Sequence, residues 1–209
     1  KIDKPIFGVI PKVDAFDNSL DDKEALRLTQ SLQSLFVNVK NIDIDRNDQV
    51  ILLTSATPNC GKSTVSRKLA ETISQLDKKV VILDNDLKRG TQHKEFERKK
   101  ISLTEFSKID LNSIEQYRIT KNMYLIPKIT NLSNSFQFLY SEMYKQKLDF
   151  FKSYFDYMVI DTPPLLSVSD TSVLMSYSDV NISIIRHNVS RVNEIKQQIA
   201  IGSQIGIDF

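Results

Sequence analysis

A chain of 209 residues, 41% hydrophobic and 26% charged, has the length and apolar content of one globular domain with a real core. A formal net charge of +2 is too small to point to nucleic acid, and one cysteine, Cys60, excludes an internal disulfide and fits a reducing compartment. No apolar run approaches the ~18 residues of a membrane span, and no signal-peptide pattern opens the chain.

Lys4-Pro5-Ile6-Phe7-Gly8-Val9-Ile10-Pro11 reads as an extended connector, because its prolines and glycine discourage a helix. Over residues 21–39, Leu28, Leu32, Leu35, Phe36 and Val39 recur at helical spacing, which predicts an amphipathic helix with Asp21 or Asp22 as N-cap. Apolar runs predict buried strands at 50–54, 80–83, 158–160 and 180–185, and helical patterns cover 63–76, 136–151 and 192–201. Strands alternating with helices predict an α/β fold of three layers, a mainly parallel central sheet with helices on both faces. Arg98, Lys99 and Lys100 follow two glutamates and read as a solvated helix end. The closing Gly206-Ile207-Asp208 reads as the lead into a further strand, so the expectation is a fragment at both ends.

The first strand runs into Ser55-Ala56-Thr57-Pro58-Asn59-Cys60-Gly61-Lys62-Ser63-Thr64 with a helical pattern behind it, the setting of a phosphate-binding P-loop. Such a loop turns backbone N–H groups and a helix N-terminus toward a phosphate. Lys62 would reach the β and γ phosphates, Ser63 would ligate Mg²⁺ and Thr64 would lie near the α phosphate. Ala56 stands where the usual pattern has its first glycine. Asp84 and Asp86 follow the second strand and Asp161 the third, and an open α/β sheet places its ligand at these strand ends. One aspartate there would read as a cap or turn residue. Three beside a P-loop supply the oxygen ligands that Mg²⁺ needs and a base for phosphoryl transfer.

These motifs resemble the bacterial tyrosine kinases of exopolysaccharide and capsule assembly over nearly the whole chain. The likeness lies in the P-loop up to Ser63, in Ile82-Leu83-Asp84-Asn85-Asp86, and in Val159-Ile160-Asp161-Thr162-Pro163-Pro164. It implies a P-loop tyrosine kinase domain at 21–209, preceded by an extended linker at 1–20 after a membrane segment, at the cytoplasmic face of the inner membrane. Asp84 would take the proton of the incoming tyrosine and help hold Mg²⁺, Asp86 would assist at the metal, and Asp161 would order its water shell. ATP is the implied phosphoryl donor, bound by Thr57, Pro58, Asn59, Cys60, Gly61, Lys62, Ser63 and Thr64.

Glu24, Arg27 and Gln30 resemble a Glu-x-x-Arg-x-x-Arg helix through which subunits of the family form a ring. Gln30 in place of the last arginine implies a weakened or altered ring, and the implied partners are other copies, a membrane activator segment and a tyrosine phosphatase. Lys88 stands where the family has an arginine, and Thr91 where some members carry a regulatory tyrosine. The terminal tyrosine cluster is missing, which fits either truncation before the last strand or a member without it. Two other functions remain to be weighed: an ATPase switch of the septum-site and partition type, against which Ser55-Ala56-Thr57 counts because it lacks an early lysine, and a nucleotide-binding scaffold without transfer activity.

Among the remaining residues, Tyr140 and Tyr144 share a helix face by spacing, and with Tyr154 and Tyr157 they read as packing residues. Cys60 reads as a small loop filler. His93 and His187 show no metal-ligand pattern and receive no catalytic role. Arg186, closing the fourth strand, is placed either near the nucleotide or a neighbouring subunit, or in solvent.

Overall fold

The computed structural model describes residues 4–11, 22–41, 50–207 and 209. The chain divides into two compact units, Lys1–Asp48 and Gln49–Phe209. In the first, helix α1 spans Asp22–Lys40, one residue displaced at each end from the expected bounds. Its five expected apolar positions, Leu28, Leu32, Leu35, Phe36 and Val39, are all buried. Asp21, one of the two candidate caps, lies outside the described residues, as does the expected linker apart from residues 4–11. Those residues form neither helix nor strand. They are tied to α1 by Asn38 Nδ2, which donates to the Phe7 carbonyl at 2.6 Å, and by Ile10, which packs on Leu28 and Leu32.

The second unit runs β1 (Val50–Thr54), α2 (Lys62–Gln75), β2 (Val80–Asp84), α3 (Gln92–Glu95), β3 (Ile101–Ser102) and α4 (Leu103–Ser107). A 3₁₀ turn at Ile114–Tyr117 leads to β4 (Met123–Ile126), β5 (Ile129–Thr130), α5 (Ser135–Leu139), α6 (Glu142–Tyr154), β6 (Tyr157–Asp161), α7 (Asp170–Met175), β7 (Val180–Ser183) and α8 (Val192–Gln204). A five-stranded sheet of order β4-β2-β6-β1-β7 forms the centre, every pairing parallel. All residues of β1, β2, β4 and β6 are buried, and apart from Thr54, Asp84 and Asp161 at the strand ends they form the apolar runs that a parallel sheet covered on both faces requires.

Alternate residues along each strand serve opposite faces. Val50, Leu52, Val81, Leu83, Met158 and Ile160 pack into an aromatic cluster with Phe106, Phe138, Tyr144 and Phe151. Helix α2 lies across β1, β2, β4 and β6 and buries Leu69 and Ile73 completely.

Several elements differ from expectation. Asp84 and Asp161 are the last residues of β2 and β6 rather than the first residues beyond them. The fourth expected strand stops at Ser183, although the Ile184 N–H still donates to the Thr54 carbonyl at 2.7 Å. The single helix expected over 136–151 is two, broken where the Ser141 hydroxyl caps α6 by accepting the Tyr144 N–H. Tyr140 and Tyr144 therefore do not share a helix face: Tyr144 is buried in the aromatic cluster and Tyr140 is exposed. Arg98, Lys99 and Lys100 are exposed as expected but lie beyond the turn that ends α3.

Candidate nucleotide site

The loop between β1 and α2 turns through two residues with left-handed backbone, Asn59 at φ 64° and Gly61 at φ 92°. Gly61 is the N-cap of α2 and offers no side chain to its first turn. The first N–H groups of this 14-residue helix therefore lack a side-chain cap, and a helix N-terminus so left favours an anion. Lys62, buried, donates from Nζ to Ser55 Oγ at 3.1 Å, and Ser55 Oγ donates to the Thr57 carbonyl at 2.6 Å. Burial pushes the Lys62 ammonium below its ordinary pKa, against the nearby carboxylates of Asp161 and Asp86.

Because β2 and β6 are neighbours in register, Asp84 stands directly opposite Asp161 at the ends of their strands. Gln92, fully buried at the start of α3, ties them together. Its N–H donates to Asp84 Oδ2 at 3.1 Å, and its Nε2 donates to Asp161 Oδ2 at 2.9 Å and to the Ser63 carbonyl at 2.8 Å. The other oxygen of each carboxylate, Asp84 Oδ1 and Asp161 Oδ1, is buried with no hydrogen-bond partner. Burial, then the charges of Asp161 and Asp86, pushes Asp84 up to about 8, with the Gln92 N–H and Lys128 opposing. Burial likewise pushes Asp161 up to about 6, opposed by hydrogen bonds from Ser63 and Gln92 and by Lys62. Asp86 is half-buried, and its Oδ1 accepts the Arg89 N–H at 2.8 Å in the following turn.

The site thus gathers Lys62, Ser63, Asp84, Asp86 and Asp161 around the P-loop residues Thr57, Pro58, Asn59, Cys60, Gly61 and Thr64. Cys60 is buried inside the loop, its Sγ 3.4 Å from Ser190 Oγ, which fits a space-filling role. Arg186 Nη1 donates to the Asn59 carbonyl at 3.1 Å, so the segment after β7 rests on the P-loop. Glu24, Arg27 and Gln30 belong to α1 in the other unit, all exposed at successive turns. Among the described residues no three His, Cys, Asp or Glu side chains gather as a ready metal cluster. The two partnerless carboxylate oxygens and the Ser63 hydroxyl suit Mg²⁺, which is commonly held by one or two carboxylates, water and substrate phosphates.

Sequence reading passed over Gln92, Gly90 and Lys128 and gave His93 no catalytic role. His93 is buried with Nδ1 3.9 Å from Asp84 Oδ2, and burial followed by Lys100, Lys94 and Lys128 lowers its pKa, which favours the neutral ring. Lys128 donates from Nζ to the Lys88 carbonyl at 2.6 Å and lines, with Leu87, Lys88, Ile129 and Leu132, a cavity of about 400 Å³.

Two variants probe this arrangement. Gln92→Ala leaves two polar atoms, Asp161 Oδ2 and the Ser63 carbonyl, without their donor, and loss of such a support is expected to weaken Mg²⁺ binding about 10- to 100-fold, read from metal titrations. Gly90 is required by close approach, since a Cβ there would meet Asp84 Oδ1 at 2.1 Å and the Asp86 carbonyl oxygen at 2.7 Å. Gly90→Ala is expected to lower stability by about 1–3 kcal/mol, read as a fall in melting temperature together with weakened nucleotide binding.

A family model described as AAA domain matches residues 48–200. The chain is 26% identical to the tyrosine-protein kinase ptk of Acinetobacter johnsonii over 99% of this chain and 30% of the relative, so it spans under a third of that protein. Its fold matches the kinase domain of Escherichia coli tyrosine kinase ETK with a TM-score of 0.83 at 23% identity, covering 98% of this chain and 87% of the other. A ParA family ATPase from Chlorobium tepidum matches with a TM-score of 0.63 at 17% identity, covering 75% and 68% of the two chains. These two structures share its fold, a mainly parallel sheet flanked by helices.

Proposed function

The chain belongs to the AAA domain family, and from that premise we propose that it is the ATP-dependent tyrosine kinase domain of a bacterial protein for exopolysaccharide or capsule export. The observation that carries the proposal is the facing pair Asp84 and Asp161, each with one buried oxygen unpartnered, beside Lys62 at the mouth of a P-loop. The sequence likeness to a tyrosine kinase across 99% of the chain favours transfer to a phenol over transfer to water.

In this reading the P-loop and the α2 N-terminus hold the ATP phosphates, and Lys62 neutralises charge on the transferred group. Ser63, Asp84, Asp86 and Asp161 would hold Mg²⁺, which would supply positive charge to neutralise the phosphates. Asp84 accepts the phenolic proton. A tyrosine hydroxyl with a pKa of about 10 needs such an acceptor near neutral pH. The cavity lined by Lys88, Lys128 and Leu132 admits the acceptor ring.

Copies of the chain associate through α1, where Glu24 and Arg27 face a neighbouring subunit and Gln30 weakens the contact. The intact protein is anchored in the inner membrane with this domain on the cytoplasmic side, preceded by the linker at 1–20. An activator segment and a phosphatase complete the cycle. Among the described residues no helix is long and apolar enough to cross a membrane.

The test is phosphotyrosine formation on a poly(Glu,Tyr) copolymer with Mg·ATP, read by mass spectrometry. Labelled copolymer supports the kinase. Release of ADP and phosphate alone, with the membrane segment restored, would assign an ATPase switch instead.

A further inference from the structure

Seven tyrosines occur in the chain, at 117, 124, 140, 144, 154, 157 and 177, and all lie among the described residues. A phosphate acceptor must bring its hydroxyl out of its own surface and into a nucleotide site on another copy. Six of the seven are poorly placed to do so. Tyr144 is buried, and its hydroxyl accepts a hydrogen bond from Asn85 Nδ2. Tyr124 and Tyr154 both donate to Glu115 Oε1, at 2.8 and 2.9 Å, and Lys79 Nζ sits 4.3 Å from the centre of the Tyr154 ring. Tyr177 donates to the Leu139 carbonyl at 3.1 Å. Tyr157 is buried within β6, and Tyr117 is half-buried against the core. Burial also raises the phenols of Tyr117, Tyr124, Tyr144 and Tyr177 above their ordinary value, so they give up a proton less readily.

Tyr140 differs in each respect. It is 60% exposed, the one exposed tyrosine of the seven, and its hydroxyl makes no hydrogen bond to any described residue. Its ring stacks only on Phe136, 5.4 Å between centroids, and Phe136 is itself 44% exposed. It closes the five-residue helix α5 just before Ser141 caps α6, so its backbone stands at a corner between two helices.

We propose that Tyr140 is the tyrosine of this chain that receives phosphate from a neighbouring copy, an inference that rests on the kinase reading above. The Tyr140 phenolic oxygen bonds to the γ-phosphorus of ATP held by the donor copy. The bond from that phosphorus to the β,γ-bridging oxygen breaks, and its electron pair leaves with ADP. The phenolic proton passes to the Asp84 carboxylate of the donor copy. The product is phosphotyrosine at the α5–α6 corner, where a dianion stands in solvent and no core packing is lost.

The experiment incubates the chain with Mg·ATP in the presence of poly(Glu,Tyr) and maps its phosphopeptides. The expected result is phosphate at Tyr140, on the active chain and also on a Lys62→Met chain supplied as acceptor. Tyr140→Phe, which keeps the stacked ring, loses most of the label on the chain while labelling the copolymer at the unaltered rate. Labelled copolymer with no phosphate at Tyr140, undiminished label on the Tyr140→Phe chain, or a Lys62→Met acceptor left unlabelled at Tyr140 would each overturn the inference and leave the kinase standing. A chain that labels neither itself nor the copolymer overturns both.

Discussion

Lys62→Met is expected to lower phosphoryl transfer about 10³-fold and to leave the fold intact, because this side chain supplies charge to the site and little to the core. The ammonium is buried and leans on one hydroxyl, Ser55 Oγ at 3.1 Å. Its lowered pKa shows that desolvation outweighs the attraction of Asp161 and Asp86. Such a cation destabilises its surroundings until an anion arrives, and a γ-phosphate oxygen is the anion that a P-loop lysine meets. Methionine has a similar length and no charge to desolvate, so the melting temperature should stay within roughly 2 °C of the parent. Single-turnover transfer and nucleotide titration, each beside a thermal melt, separate the two effects. Transfer retained within a factor of about ten would remove Lys62 from the chemistry.

The same logic explains which parts of the molecule could be read in advance. The buried strands announced themselves as apolar runs, and the P-loop as a strand followed by Gly61-Lys62-Ser63 and a helix. Asp84 and Asp161 stood out because each ends such a run. Strand β4 was missed: it is only four residues long and follows a polar stretch. The two-residue strands β3 and β5 carry too little pattern to be seen at all. The break at Tyr140 and Ser141 stayed hidden because apolar residues continue at helical spacing on both sides, while the serine that interrupts them acts through its hydroxyl.

Gln92 is the most instructive omission. It sits in a polar run, Gln92-His93-Lys94-Glu95, that reads as surface, and nothing local says that its amide is buried. Its partners are Asp84, Asp161 and Ser63, and they meet only because β2 and β6, far apart in sequence, are neighbours in the sheet. Order within a parallel sheet is a tertiary fact, and so is the support that depends on it.

Asp84→Asn should then abolish transfer while making the ligand-free protein more stable. In the role proposed for Asp84, loss of the general base is worth about 10²–10⁴-fold in rate, and loss of a metal ligand adds to it. The stability change has the opposite direction, for an electrostatic reason. An aspartate in an unfolded chain titrates near 4, whereas Asp84 is pushed up to about 8, by burial first and then by Asp161 and Asp86. The folded state therefore holds this proton more tightly than the unfolded state does. Its contribution is fully present below about pH 4 and is lost as pH rises to about 8, where the folded carboxylate also ionises. Asp161, pushed up to about 6, adds a loss of the same sign between about pH 4 and 6. Asparagine removes the Asp84 part of this slope and still accepts the Gln92 N–H, although its own amide protons enter a site that offers them little. The balance at pH 8 is expected to be about 2 kcal/mol in favour of the variant, or roughly 6 °C in melting temperature. Thermal melts of both proteins from pH 5 to 8 without nucleotide or metal should diverge as pH rises. In the proposed metal role, saturating Mg·ATP should reverse the order, because the Asp84 carboxylate gives the parent a metal ligand that the asparagine lacks. Parallel melting curves across that range would mean that Asp84 is ionised at little cost in the empty site, and the account of it as a carboxylate held ready for a cation would fail.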